Sequence, residues 1–413
     1  MQFKQYPSYK NSGVEWLGDV PEHWYIFKSN KIFKQSNVRS YESDEQLTAS
    51  QKYGVIPQSL YMKKEESKVV LALSGIDNFK HVDKNDFVIS LRSFQGGIEL
   101  CFYDGCVSPA YTVLKPNKVI NYSFWSYLFK STIYISVLNT AVDGIREGKT
   151  ISYTNFGKIY INIPPLSEQA QIANYLDTET TRIDNLIAKQ EKLIELLEEQ
   201  RKSIISHAVT KGLNPNAPMK DSGVEWLGEV PEHWKIGRLK NLLSINNGSD
   251  YKEFEVENSE NSYPVYGSGG VFTYSSKYIY DQESVLLGRK GTINKPLYVT
   301  SPFWAVDTMF YSQVKQGVHG KYVYYQALGF PYDRYSSNTA LPSMTQTDLL
   351  NLSVAIPIIS EQIEITQFLD NENTMFDNLI SKQKKLIEKL KEYRASIISH
   401  AVTGKIDVRE FGA

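Results

Sequence analysis

Residues 12–24 read SGVEWLGDVPEHW and residues 222–234 read SGVEWLGEVPEHW, identical except at Asp19 and Glu229. A second pair lies downstream, where SIISHAVT at residues 203–210 recurs letter for letter at residues 396–403. The chain is a tandem duplication, and whatever fold it adopts must seat the same frame twice. The first pair is offset by 210 residues and the second by 193, so the two copies differ in length between their matched blocks. The intervening segments, residues 55–163 and 245–356, look unrelated to each other. A frame that keeps its joints while its insert diverges reads as one scaffold presenting two different recognition surfaces.

After Pro164-Pro165 the pattern turns helical, with Ser167 as capping residue and Glu168 as early acid; the second copy repeats Ser360-Glu361-Gln362 after Pro357. Apolar residues then recur at Ile183, Leu186, Ile187, Leu193, Ile194, Leu197, Ile204 and Ile205, a three-and-four spacing that makes one stripe on a long helix. Phe376, Leu379, Ile380, Leu386, Ile387, Leu390, Ile397 and Ile398 match them one for one. Two such stripes in one chain can bury each other as an intramolecular antiparallel coiled coil; a long helix that dimerises with another chain would show the same periodicity. Gln190 and Gln383 interrupt the stripes at equivalent places, either as a register-fixing polar layer or as polar residues on the seam edge. A continuous helix from Ser167 to Ala208 would be roughly 60 Å long at about 1.5 Å per residue. Such a ruler matters only if the target is itself extended and regular.

The remaining segments, roughly residues 2–163 and 218–356, are rich in Tyr, Ser, Asn and Gly, with short β-like runs at residues 87–91, 107–114, 285–287 and 297–300. They read as mixed α+β lobes with long loops, and 413 residues that are 41% hydrophobic suffice for their cores. The helical segments 167–208 and 360–403 carry 11 basic and 15 acidic residues, which leaves 34 basic and 31 acidic elsewhere. A nucleic-acid binder is usually more basic, so that function requires clustered charge or a partner that supplies it. Cys101 and Cys106, the only cysteines, read as buried small residues. No apolar run is long enough to span a membrane and the polar segment MQFKQYPSYK lacks the core of a signal peptide, so a cytoplasmic location is expected.

Catalytic motifs are missing or incomplete. Residues 144–150, GIREGKT, imitate a phosphate loop, but three residues separate the glycines where four are needed to wrap a phosphate. Asp143, Glu147 and Lys149 imitate a nuclease's acids and lysine within one short stretch, where the first acid would normally come from a separate strand. Asn162-Ile163-Pro164-Pro165 is not the Asn-Pro-Pro-aromatic motif of adenine methyltransferases, and Gly96-Gly97 and residues 267–270 look like turns. His23 with His233 and His207 with His400 recur with the scaffold, which points to packing or capping rather than catalysis.

The repeated blocks resemble the DNA-specificity subunit of type I restriction-modification systems over nearly the whole chain. The resemblance rests on GVEWLG followed by VPEHW in both copies, PPLSEQ at residues 164–169, SIISHAVT at both helix ends and GKIDV at residues 404–408. PVYGSGG at residues 264–270 and LLGRKGTI at residues 286–293 look like segments of that family's target-recognition domains. The resemblance implies an α+β fold: two globular mixed α/β target-recognition domains separated by two long antiparallel helices, an intramolecular coiled coil in a pseudo-twofold tandem repeat. The expected domains are residues 1–166, the first target-recognition domain; 167–217, the first spacer helix and linker; 218–359, the second target-recognition domain; and 360–413, the second spacer helix and tail. The helix pair would pack through Ile183, Leu186, Leu193, Leu197, Ile204, Phe376, Leu379, Leu386, Leu390 and Ile397. The implied function is that of a non-catalytic reader of double-stranded DNA that takes one half of a split, asymmetric site with each lobe. Two methyltransferase subunits binding S-adenosylmethionine would dock on the helices, and restriction subunits dependent on ATP and Mg would join them; the chain itself would bind no cofactor and no metal. The alternative from another class is a two-lobed coiled-coil adaptor that binds protein or glycan.

Discrimination in the major groove needs side chains with paired donors or acceptors. Arg92 and Gln95 in SLRSFQGG, and Arg289, Lys290 and Asn294 in GRKGTIN, are the candidates in the loops; phosphate contact is the competing role for each. Arg146 and Lys149 in the first lobe and Asn338 and Ser343 in the second occupy the loop before the last strand. Lobes facing the same side of B-DNA would place half-site centres roughly one helical turn, about 10 bp, apart.

Overall fold

The computed structural model describes residues 4–66, 78–140, 151–335 and 342–411. The chain divides into two compact units, residues 1–189 with 385–413 and residues 190–384. The division runs through two long helices, α1 (Leu166–Lys211) and α2 (Ile359–Val402), so each unit holds the first half of one helix and the second half of the other. α1 starts a residue earlier than its capping pattern suggests: the Gln169 N–H already donates to Pro165 O, which puts Ser167 inside the first turn. Among the described residues no helix is long and apolar enough to cross a membrane.

The inserts that look unrelated in sequence build the same sheet. In the first unit four antiparallel strands lie in the order Phe33–Ser36, Thr112–Pro116, Phe87–Ile89, Glu99–Leu100. In the second the order is Leu243–Asn247, Met309–Val314, Ser284–Gly288, Leu297–Val299, with the same connectivity. A two-stranded ribbon closes each lobe onto its helix, Tyr25–Lys28 with Tyr160–Ile163 in one unit and Lys235–Arg238 with Ser353–Ile356 in the other. The lobes differ in what they add. The first carries the hairpin Leu47–Ser50/Gly54–Pro57 and the pair Lys80–Val82/Gly105–Val107; the second adds a four-stranded sheet made of Glu255–Val256, Gly270–Ser275, Tyr263–Gly267 and Trp304–Ala305. The apolar run at 107–114 is two strands rather than one, because Ser108 and Pro109 open a turn in which the Tyr111 N–H bonds back to Ser108 O.

The repeated motifs find their partners at the helix starts. Glu168, 3% exposed, accepts from Trp24 Nε1 at 3.0 Å and Tyr6 OH at 2.5 Å, and His23 Nε2 lies 2.7 Å from its other oxygen. Glu361 meets Trp234 Nε1 and His233 Nε2, both at 2.9 Å. Burial and the bond to Glu168 raise the Tyr6 phenol far above its ordinary pKa, so it stays a donor. Gln169 and Gln362 each accept from a backbone N–H, Asn121 at 3.0 Å and His319 at 2.9 Å, and donate to Pro164 O and Pro357 O. His23 and His233 are thus positioning groups at the helix starts. His207 and His400 are exposed, and His400 contacts Ser396 Oγ at 3.3 Å.

The helix ends enter these same cores. Trp24 shares one apolar cluster with Ile172 and Leu176 of α1 and with Ile397, Ala401 and Val402 of α2. Trp234 shares another with Ile205, Ala208 and Val209 of α1 and with Ile365 and Leu369 of α2. Gly404 and Gly212, at φ +73° and +74°, reverse the chain against the rings of Trp24 and Trp234, where a Cβ would meet the indole at 3.0 and 3.2 Å. Asp184 pairs with Arg394 at 2.9 Å in the first unit and Asp377 with Arg201 at 2.6 Å in the second, so α1 and α2 run antiparallel in both. Asp184 corresponds to Asp377 and Arg201 to Arg394 in the repeat, so the pairs are one contact made twice with the helices exchanged. The first and last described segments meet within the first unit, where the Asp407 N–H donates to Lys4 O at 2.8 Å and Lys4 pairs with Glu410.

Of the expected stripe, Ile183, Phe376 and Ile397 are buried, and Leu186, Leu197, Ile204, Leu379 and Leu390 are half-buried. Leu193 and Leu386 are a correction: they are 38% and 41% exposed, while Ile387 beside the latter is 6% exposed. At 3.6 residues per turn a strict stripe drifts off a straight seam, and mid-helix the seam passes to the neighbouring residue.

Replacing Glu168 by Ala strands the buried Trp24 and Tyr6 donors and releases exposed His23. Calorimetry is expected to show the first unit destabilised by about 2–4 kcal/mol, with a smaller loss for Glu361→Ala, whose side chain is 22% exposed.

Candidate nucleic-acid interface

Because the two sheets share one topology, their second strands in sequence deliver equivalent loops. The strand Phe87–Ile89 runs into residues 90–97, where Arg92 and Gln95 are exposed and Ser93–Gly96 forms a single helical turn. The strand Ser284–Gly288 runs into Arg289, half-buried, and Lys290, exposed. The sequence candidates therefore fall at one structural position in both lobes.

In the first lobe that position borders a groove of about 580 Å³ shared by Arg92, Gln95, Gln51, Lys52, Tyr61 and Tyr111. The nearby charges are largely spent on each other: Lys52 pairs with Glu65 at 3.0 Å, and Lys130 with buried Glu99 at 2.7 Å. Burial raises the Glu99 pKa, against the lowering pull of Lys130. The Arg92 side chain makes no hydrogen bond or ion pair among the described residues, so its guanidinium fork is available to a ligand. Gln51, Lys52 and Tyr61 were not foreseen; they come from the hairpin and helix particular to this lobe, which no motif marks. The sulfurs of Cys101 and Cys106 are buried in the same unit, and burial pushes their thiols up to about 12 and about 11.

In the second lobe Arg289, Lys290 and Ser343 share a groove of about 310 Å³ with Asn247, Phe310 and Gln346. The two loops are stitched together: Lys290 bridges to Ser343, Gly291 N–H donates to Pro342 O at 2.9 Å and Met344 N–H to Arg289 O at 3.0 Å. The Arg289 guanidinium lies 5.9 Å from the Phe310 ring centre and donates once, to Asp307 O at 3.3 Å. Asn294 is not part of this groove. Gly291, at φ +85°, turns the chain, Ile293 plugs the core, and Asn294 emerges in a separate groove of about 1030 Å³ beside Tyr298, Tyr324 and Lys321. Arg146, Lys149 and Asn338, with the imitation phosphate loop, lie outside the described residues. Asn247 and Gln346 carried no sequence signal beyond their polarity. Among the described residues no group of three or more His, Cys, Asp or Glu side chains could hold a metal ion.

Gly97 has φ +84° and ψ −170°, a region essentially open to glycine alone, and a Cβ there would sit 2.2 Å from Phe129 O. Gly97→Ala is expected to cost at least about 1–3 kcal/mol, read as a lower unfolding midpoint of the first unit. Gly269→Ala, with nothing within 4 Å of its Cβ, should leave the midpoint unchanged.

A family model described as the type I restriction modification DNA specificity domain matches residues 17–198 and 231–392. The type I restriction enzyme MjaVIII specificity subunit of Methanocaldococcus jannaschii is 25% identical over 360 residues, covering 79% of this chain and 80% of the relative. The putative MjaX specificity subunit of the same organism is 22% identical over 99% of each chain. Among solved structures, a chain from a study of complex assembly and conformational transition of the type I R-M system aligns with a TM-score of 0.74 at 14% identity, covering 93% of this chain and 98% of its own. The HsdS subunit from Thermoanaerobacter tengcongensis aligns with a TM-score of 0.58 at 15% identity, covering 96% of this chain and 100% of its own.

Proposed function

The chain belongs to the type I restriction-modification DNA specificity family, whose model matches it in both halves, and we propose that it reads a split, asymmetric DNA target with one half assigned to each lobe. As a specificity subunit it is a non-catalytic component that directs the modification and restriction subunits of its complex to DNA. The observation that carries the split-site reading is the recurrence of an arginine-bearing loop at one topological position in two lobes of unlike surface. Equal position provides equal access to a duplex, and unlike surroundings provide unlike sequence preference.

In this reading residues 1–166 and 218–359 are the target-recognition domains, and residues 167–217 and 360–413 form the spacer, packed along the stripe that includes Ile183, Phe376 and Ile397. Arg92, Gln95, Arg289, Lys290 and Ser343 face base edges or adjacent phosphates; Asn294, Arg146, Lys149 and Asn338 are secondary contacts. Two methyltransferase subunits with S-adenosylmethionine dock on the helices, restriction subunits with ATP and Mg complete the assembly, and the complex works in the cytoplasm. A net charge of −1 on this chain suits a reader whose partners supply much of the phosphate contact.

Co-expression with the neighbouring methyltransferase in a strain free of methyladenine, followed by genome-wide mapping, is expected to give a split motif that appears only with both proteins. Arg289→Ala should relax one half of that motif, and Arg92→Ala the other, each by about 1–3 kcal/mol of discrimination. Uniform weakening on all sequences with a shallower salt slope would assign these arginines to phosphate instead. A soluble complex that methylates nothing, or a chain that forms no complex, would count against the functional reading.

A further inference from the structure

The second lobe carries a hairpin that the loop candidates do not include. Tyr263–Gly267 and Gly270–Ser275 pair antiparallel and turn at Ser268-Gly269. Its tip lies against the Arg289 loop, since a Cβ on Gly291 would sit 3.2 Å from Ser268 Oγ. Beside the turn, Phe272 is 55% and Val271 45% exposed. The Phe272 ring stands edge-on to Tyr251 at 5.4 Å and reaches back towards the tip, where a Cβ on Gly267 would meet its Cε1 at 3.2 Å. Glu255 lies across from Ser275, and its carboxylate accepts from Thr273 Oγ1 at 2.8 Å. An exposed aromatic ring thus shares one end of the lobe with Arg289 and Lys290, and the first lobe has no counterpart of this sheet among its described residues.

We propose that this hairpin tip is a second base-contacting element of the second lobe, in which Phe272 packs against thymine C5-methyl groups in the major groove beside the pairs reached by the Arg289 loop. The inference rests on the reading of the chain as a DNA-specificity subunit. Thymine C5-methyl is the apolar group that a major groove displays, and an apolar side chain is its complement. Direct adjacency to a cationic loop places the ring where a duplex held by that loop would meet it, and it favours DNA over a protein partner as the occupant.

The test uses the complex of the full chain with its modification subunit and the duplex defined by methylome mapping, with thymine or uracil in the second half-site. Wild type should lose affinity about fourfold for each contacted methyl removed, the order expected for one buried methyl group. Phe272→Ala should lose a similar factor on the thymine duplex and show no further loss with uracil, while Phe272→Leu should retain most of the thymine preference. The inference is overturned if Phe272→Ala binds like wild type, if it loses equally on both duplexes, or if it impairs assembly with the modification subunit and leaves DNA affinity intact. A second half-site with no thymine other than the partner of the methylated adenine overturns it too. If wild type fails to select the mapped duplex over a scrambled one, the functional reading fails instead.

Discussion

The carboxylate in the first turn of each long helix, buried Glu168 or half-buried Glu361, holds the indole N–H and the imidazole of the Glu-His-Trp motif that ends each copy of the frame. A carboxylate out of water is costly unless its lone pairs are filled, and here the donors come from the start of the lobe while the acid comes from the helix. That bond sets where the helix leaves the lobe. The glutamine beside it secures the backbone N–H of an earlier helix cap, Asn121 or His319, and the proline carbonyl, so orientation is fixed from two sides. The near-identity of the frame copies follows, because any change in this socket strands a polar atom.

The same geometry explains why the two helices belong to both units. Ile397, Ala401 and Val402 complete the core around Trp24, and Ile205, Ala208 and Val209 complete the core around Trp234. Each lobe therefore borrows the end of the helix that starts from the other. Divergence is tolerated where no such exchange occurs: the sheets keep their order, and what is added is a hairpin and a strand pair in one lobe and a four-stranded sheet in the other.

The frame and the helices were legible in the sequence because repetition and the 3.6-residue period act over tens of residues. The partnership of Glu168 with Trp24 was not, since a contact 144 residues long leaves no local trace. The shared sheet was hidden because strands of two to six residues carry little pattern, and Pro109 broke a run that looked continuous. Loop chemistry singled out Arg92 and Arg289, yet it could not separate Asn294 from Arg289, a separation that depends on the turn at Gly291 and the buried Ile293. Gln51 and Tyr61 reach the first groove through tertiary placement alone.

The independence of the two readers, presented by one frame made twice and related by exchange of its helices, is open to experiment. It is tested most directly by replacing residues 235–356 with a second copy of residues 25–163, joining at the ribbon positions Tyr25 and Ile163, which pair with each other as Lys235 and Ile356 do. The methylation motif of that chain, mapped with the modification subunit, should become an inverted repeat of the first half-site. An unchanged asymmetric motif, or a single continuous site, would show that the lobes do not read independently.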